Sequence, residues 1–426
     1  LIPIFLGALL LAWPALLNAY PLVFSDTHAF LVQGGEPQMV WDKPFVYGPL
    51  LTLLHLRLTL WLPLAAQCLL VSHLLWLTRA AFAPPTARFH LALCAALAAL
   101  SAAPWFASLL MPDILAPAAV LALHLLGFAP LSHRLRLWLL LLATVAIATH
   151  LSFLPLALAL TLLALLLRAH RSILIPLPAA LALLLATNVI GHGKWAISPY
   201  GSVFALARLA TDGPAQAVLA RECPRPDWKL CDWQGRFPAD SDDFLWKEWA
   251  PVWSTGGPVA LAPEASAIVR ATLLQEPAAV LGTAIANTAH QLTRVALGDT
   301  LGNDWLETSI TGSLRAYFPA AEMARFRAGL QMNERLRPWA TPLNPLHLAA
   351  LLAGGAATAW LAWRRNTLAA MVLLALLANA AAAGALSRPH DRYQARIAWL
   401  VLLPPLVTVG SRAAADSAAQ SRRWWR

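Results

Sequence analysis

Charge is what this 426-residue chain has least of: Asp, Glu, Lys and Arg together make up 12%, against 59% hydrophobic residues and a mean hydropathy of +0.60. A soluble protein this apolar could not cover its surface with polar groups, so the ordinary globular class is excluded and a polytopic membrane protein remains. Regular alternation of polar and apolar residues is also missing, which excludes a transmembrane β-barrel; the Leu/Ala blocks span as helices. There is no phosphate-cradling glycine loop, no zinc-spaced Cys/His cluster and no nucleophile elbow. No internal repeat is evident, which disfavours transporters built from inverted halves. The chain has no initiator Met and no cleavable signal pattern, and Leu1 already lies in an apolar run, so a longer N-terminus is expected.

What is present is a series of apolar runs. They predict an all-α integral membrane protein with about ten transmembrane helices, at 2–19, 60–78, 88–104, 113–130, 136–153, 155–168, 172–190, 344–363, 367–386 and 394–410. The segment 47–59 carries His55 and Arg57 and reads as a helix lying in the interface. A mainly helical extracytoplasmic domain, 191–343, is inserted between spans seven and eight. Within it 264–276, 277–296 and 319–337 have helical spacing, Pro277 suits a first helical turn, and Asp240-Ser241-Asp242-Asp243 suits a solvated helix start. Thus 1–190 holds helices one to seven, and 344–426 holds helices eight to ten and a cytoplasmic tail.

The net charge of +10 does not imply nucleic acid, because the arginines are scattered through short turns. With the first span running outward, the inner turns hold Arg79 and Arg88; His133, Arg134 and Arg136; Arg168 and Arg171; Arg364 and Arg365; and a tail with Arg412, Arg422, Arg423 and Arg426. This is the positive-inside pattern. The tail's Trp424 and Trp425 suit the inner leaflet. Trp61, Trp76, Trp105, Trp138, Trp195 and Trp363 lie near span ends, as in an aromatic belt. Cys223 and Cys231, in a polar loop placed outside, read as a disulfide, whereas Cys68 and Cys94 fall within spans as buried thiols.

The same count puts the chemistry-bearing residues on the outer face. Asp26, just after the first span, can take a proton from a hydroxyl or amine; its bland alternative is a helix cap. Asp113 opens the fourth span and, with Asp26, suits a divalent metal ion or a substrate-orienting role; alternatively it only meets a helix dipole. His150, at the outer end of the fifth span, can bind phosphate, ligate metal or shuttle protons, or simply rest in the interface. Arg388, His390 and Arg392 stand together in Ser387–Tyr393, and guanidinium forks match phosphate oxygens; the alternative is a salt bridge of Asp391 to one of these arginines. Lys194 and His192 are second-rank phosphate candidates. Gln67, His73 and His124 lie deep in spans, where a transporter would need them.

Together these features resemble the GT-C class of polytopic membrane glycosyltransferases. Ser25-Asp26-Thr27 stands where that class places its first-loop acid, and 47–59 resembles its juxtamembrane helix. Met111-Pro112-Asp113 resembles its second acidic motif, and Arg392-Tyr393 an Arg-Tyr pair at the start of a late span. The chain departs from many members in having one first-loop acid, followed by Thr27 and His28, and in placing the outer domain between spans seven and eight. The resemblance implies transfer of a sugar from a polyprenyl-phosphate donor to an acceptor at the outer face of a bacterial inner membrane, with 191–343 in the periplasm. In this implied reaction Asp26 is the base, Asp113 positions acceptor or metal, and Arg388, His390, Arg392 and His150 hold the donor phosphate. The partners are the polyprenyl-linked sugar, membrane lipid and an acceptor, not nucleic acid. The rival expectations are a transporter or flippase of a lipid-linked or anionic substrate, and a non-catalytic membrane assembly factor.

Overall fold

The computed structural model describes residues 1–36, 38–225 and 227–409. It is all-helical, with 73% of residues in helix and no strand among the described residues. Four helices are long and apolar enough to cross a membrane, Trp61–Ala80, Arg171–His192, Arg337–Trp363 and Thr367–Leu386, which marks a membrane protein. Several of the other expected spans are shorter or broken. The first divides into α1 (Ile2–Leu11) and α2 (Trp13–Asn18), interrupted just before Pro14. α3 (Thr27–Gly35) and α4 (Tyr47–His55) follow in the first loop, and α4 covers most of the expected interfacial segment.

Next come α5 (Trp61–Ala80), α6 (Ala87–Leu100), α7 (Ala103–Ser108), a 3-10 turn at Pro112–Ile114, and α8 (Leu115–Phe128). α9 (His133–Ala148), α10 (Phe153–Leu166) and α11 (Pro176–His192) complete the first half. Thr86 and Ser132 cap α6 and α9 through their side-chain oxygens, which accept from Phe89 and Leu135 amides.

The segment expected to be one outer domain has two parts. α12 (Gly201–Thr211), α13 (Pro214–Glu222), α14 (Ser241–Trp246), α15 (Pro251–Ser254) and α16 (Pro258–Gln275) enclose a separate core containing Val203, Leu206, Leu219, Phe244 and Ile268. The Cys223–Cys231 disulfide forms beside this core, as expected from the sequence. α17 (Pro277–Thr293), α18 (Leu306–Tyr317), α19 (Ala320–Ala328) and α20 (Arg337–Ala340) leave it. Leu306, Ile310, Leu314, Phe326 and Leu336 from this second part join the core of the membrane-helix block. The helix expected over 319–337 stops at Ala328, where Gly329 turns away and donates to the Phe326 carbonyl.

The chain ends in α21 (Asn344–Trp363), α22 (Thr367–Leu386), α23 (Asp391–Ala398), a 3-10 turn at Trp399–Leu402, and α24 (Leu403–Thr408). The span expected at 394–410 is therefore broken. α23, which begins at Asp391 ahead of that span, carries Arg392 and Arg396, and a second break precedes Pro404-Pro405. The most extensive helix pairing in the structure is α17 against α22. Gly384 permits this approach, since a Cβ there would lie 2.6 Å from the Asn287 carbonyl oxygen. Cys68 and Cys94 are free and buried. The tail residues Arg412, Arg422, Arg423, Trp424, Trp425 and Arg426 lie outside the described residues.

Candidate functional site

A short backbone bridge joins the two loops that carry Asp26 and Asp113. Leu22 donates its amide to the Ser108 carbonyl (3.0 Å), and Leu110 donates to the Leu22 carbonyl (2.9 Å). Thr27 strengthens the link, donating its hydroxyl to the Leu110 carbonyl at 3.1 Å. Asp26 follows this bridge on one strand of chain and Asp113 on the other. Asp26 occupies the N-cap position of α3 but makes no side-chain capping bond, so the bland reading of this residue fails. Its carboxylate instead meets Lys43 at 3.2 Å and Arg392 at 3.6 Å.

α23 supplies the opposing charge. Arg392 and Arg396 are four residues apart and so share one face of that helix. Arg392 Nε lies 3.7 Å from Asp113 Oδ1, and Arg396 Nη1 lies 3.4 Å from the same oxygen. One guanidinium thus stands between the two carboxylates. Arg396 Nη2 also donates to Ser152 Oγ and Asn379 Oδ1, both at 3.0 Å. Ser152 Oγ lies 2.8 Å from His150 Nδ1, which brings His150 to the edge of the cluster. Asp113 and Arg396 are almost fully enclosed, with side chains 2% and 1% exposed. Aromatic faces line the cations, with Phe24 4.6 Å and Tyr393 4.9 Å from Arg392, and Phe153 4.9 Å from Arg396.

Two features of these contacts bear on chemistry. The pairs made by Arg392 are longer than the 2.7–2.9 Å of a charge-assisted hydrogen bond, so its edges are not committed. Moreover Arg392 Nη1 and Arg396 Nε are buried and make no hydrogen bond among the described residues. Buried guanidinium donors without acceptors are costly unless water or a ligand meets them.

Burial pushes the Asp26 carboxyl up, but Lys43 and Arg392 outweigh it and hold the group below its ordinary value. Lys43 is destabilised as a cation by burial, but Asp26 and Asp42 more than compensate and hold its ammonium above the ordinary value. Asp299 accepts the Arg392 amide at 2.7 Å, and burial raises its carboxyl. The set suits a divalent cation poorly. Asp26 and Asp113 are separated by a guanidinium, and Lys43 and Arg396 would add repulsion to any metal placed between them. Among the described residues no three His, Cys, Asp or Glu side chains group as metal ligands.

Asp26, Asp113, His150 and Arg392 therefore converge. Arg388 and His390 do not join them. Arg388 Nη1 pairs with Asp240 (3.0 Å) and Asp242 (3.2 Å), and His390 Nε2 meets Asp242 Oδ2 at 3.0 Å. Burial pushes the Asp242 carboxyl up, but the His390 hydrogen bond and the charges of His390 and Arg388 bring it below its ordinary value. Asp240 also caps α14, accepting from the Asp242 and Asp243 amides. Asp391 pairs with Arg294 at 2.9 Å rather than with an arginine of its own run. Lys194 and His192 contact Tyr200, which belongs to the separate core of α12–α16.

Lys43, Ser152, Asn379 and Arg396 were not singled out from the sequence. The signal for Arg396 was its spacing of four from Arg392; for Asn379 it was a lone amide in an Ala-rich run. The deep polar residues that a transporter would need are only partly tied up. Gln67 donates to the Ala107 and Leu109 carbonyls and accepts from the Tyr47 hydroxyl, while His124 lies between Phe82 and Phe128, 3.3 Å from Thr367 Oγ1. No family model matches the chain, and no curated protein and no solved structure matches it either.

Proposed function

We propose that the chain is a membrane glycosyltransferase of GT-C type that moves a sugar from a polyprenyl phosphate to an acceptor at the outer face of a bacterial inner membrane. In this reading the chain makes ten passes, some of them as broken helices, the cluster lies at headgroup level and 191–343 is periplasmic. The observation that supports this reading most is the meeting of Asp26, Asp113, Arg392 and Arg396 from three distant segments, with two buried guanidinium nitrogens, Arg392 Nη1 and Arg396 Nε, that make no hydrogen bond among the described residues.

The donor phosphate enters between Arg392 and Arg396 and takes up those donors bidentately. Binding draws Arg392 from its long contact with Asp26. The acceptor hydroxyl oxygen then attacks the anomeric carbon, its proton passes to Asp26, and the bond from that carbon to the phosphate oxygen breaks. Polyprenyl phosphate leaves carrying the electron pair, and the arginines stabilise the charge that builds on it. Lys43 keeps Asp26 ionised before the acceptor arrives. Asp113 orients Arg392 and Arg396, and no step runs through a metal.

The test is turnover of a sugar-labelled polyprenyl phosphate by the purified protein with a membrane extract as acceptor source. Asp26→Asn is expected to lower transfer roughly 10²–10⁴-fold, the range for a lost general base, while retaining helix content. Wild-type activity in that variant removes the assignment.

A further inference from the structure

Outside the central cluster, a second polar cavity of about 320 Å³ opens between α12, the start of α14, the C-terminal half of α17 and the loop after α22. Its walls are lined by guanidinium–carboxylate pairs. Arg208 Nη2 holds both oxygens of Asp212 at 2.7 Å, and Asn287 donates to that carboxylate at 2.8 Å. Arg388 meets Asp240 at 3.0 Å and Asp242 at 3.2 Å, and Arg294 meets Asp391 at 2.9 Å. Arg208, Arg294 and Arg388 line the cavity with Asp212 and Asp240, and Asp242 and Asp391 behind them complete the pairing, so each guanidinium already holds a carboxylate.

Pairing distance separates this cavity from the central cluster: its guanidinium groups meet carboxylates at 2.7, 2.9 and 3.0 Å, whereas Arg392 and Arg396 meet theirs at 3.6, 3.7 and 3.4 Å. An anion entering here would meet cations already neutralised at close distance. A neutral molecule with several hydroxyls fits better, since each hydroxyl both donates and accepts, as the alternating carboxylate, guanidinium and amide groups require. The volume is at the lower end of the roughly 300–1,000 Å³ of small-molecule sites, suited to one ring rather than a chain.

α14 links the two places. Its N-terminal Asp240 and Asp242 border or brace the cavity, and its last residue, Trp246, has Lys43 Nζ 5.9 Å from its ring. Lys43 in turn meets Asp26. At 1.5 Å rise per residue the six residues of this helix span about 9 Å. We propose that this cavity is a glycosyl-binding subsite that holds a sugar ring of the acceptor. Its assignment to the acceptor rests on the transferase reading; its preference for a neutral polyol does not.

The experiment is saturation-transfer NMR on the full chain in nanodiscs, with D-glucose, D-galactose, D-mannose and D-arabinose as probes and inorganic phosphate as competitor. At least one sugar is expected to receive saturation. The signal should require roughly tenfold more sugar in Asn287→Leu and in the exposed-site variant His290→Ala, the effect of one or two lost hydrogen bonds. Asp26→Asn should bind as wild type does. No sugar signal, equal binding in both cavity variants, or displacement by millimolar phosphate overturns the subsite. A sugar that binds as expected in a protein without transferase activity leaves the subsite standing and removes only the acceptor role. Transfer whose acceptor KM is unchanged in His290→Ala and Asn287→Leu also removes that role.

Discussion

Arg396→Met removes the cation most deeply enclosed in the cluster. Arg396 contacts Asp113 at 3.4 Å, Ser152 and Asn379 at 3.0 Å, and packs over Phe153. Without it Asp113, 2% exposed, retains among the described residues only the Arg392 ion pair at 3.7 Å. Loss of one partner from a buried ion pair costs about 3–5 kcal/mol, chiefly because the other charge remains uncompensated. Met fills much of the volume but leaves the carboxylate and two side-chain acceptors unmet. Adding Asp113→Asn removes the stranded charge, so the double variant should recover about 1–3 kcal/mol relative to the sum of the two single losses. The assay is unfolding in phosphatidylcholine micelles titrated with sodium dodecyl sulfate, followed by far-ultraviolet circular dichroism. Strictly additive losses, or an Arg396→Met variant within about 1 kcal/mol of wild type, would refute the pairing argument.

Lys43→Met should raise the Asp26 carboxyl, because burial is then opposed mainly by Arg392. In the native protein the Asp26 carboxyl is held low. Its pairing therefore stabilises the fold above the ordinary carboxylate range and is lost as pH falls through the lowered value. The variant's acid limb of activity should accordingly move to higher pH, and an unmoved limb in a pH–rate profile would contradict the role given to Lys43. Cys231→Ser opens a loop closed across 8 residues of sequence separation and should cost about 2.5 kcal/mol. Hydrogen exchange should place that loss in 200–268 and leave α5 and α22 unchanged. Gly384→Ala places a methyl against the Asn287 carbonyl and should destabilise by about 1–3 kcal/mol, read in the same detergent titration.

The helical membrane class was legible because Leu/Ala runs leave no other spanning structure, and the disulfide because its two cysteines lie close in a polar loop. The breaks were harder to see. Pro14 and Pro404-Pro405 are visible in the sequence, but average hydropathy merges the pieces on either side into one run. The outer domain was read as a unit because both parts are polar, although Leu306, Ile310, Leu314 and Phe326 pack into the helix block. At the site, Asp26, Asp113 and Arg392 were readable as residues beside span ends. Arg396 was hidden inside a run counted as membrane, and Lys43 lacked any motif. Arg388 and His390 were grouped with Arg392 by adjacency. The helix start at Asp391 separates them, sending Arg392 inward while Arg388 and His390 meet Asp240 and Asp242.

The most direct measurement follows a polyprenyl phosphate labelled in its sugar, supplied to the wild-type protein in sealed vesicles together with acceptor extract. Label should leave the lipid and appear in a glycosidic product, at a rate falling roughly 10²-fold in Arg392→Lys, as when one stabilising donor is lost. Label that stays on its lipid, whether at rest or carried across the bilayer intact, would contradict sugar transfer at this cluster.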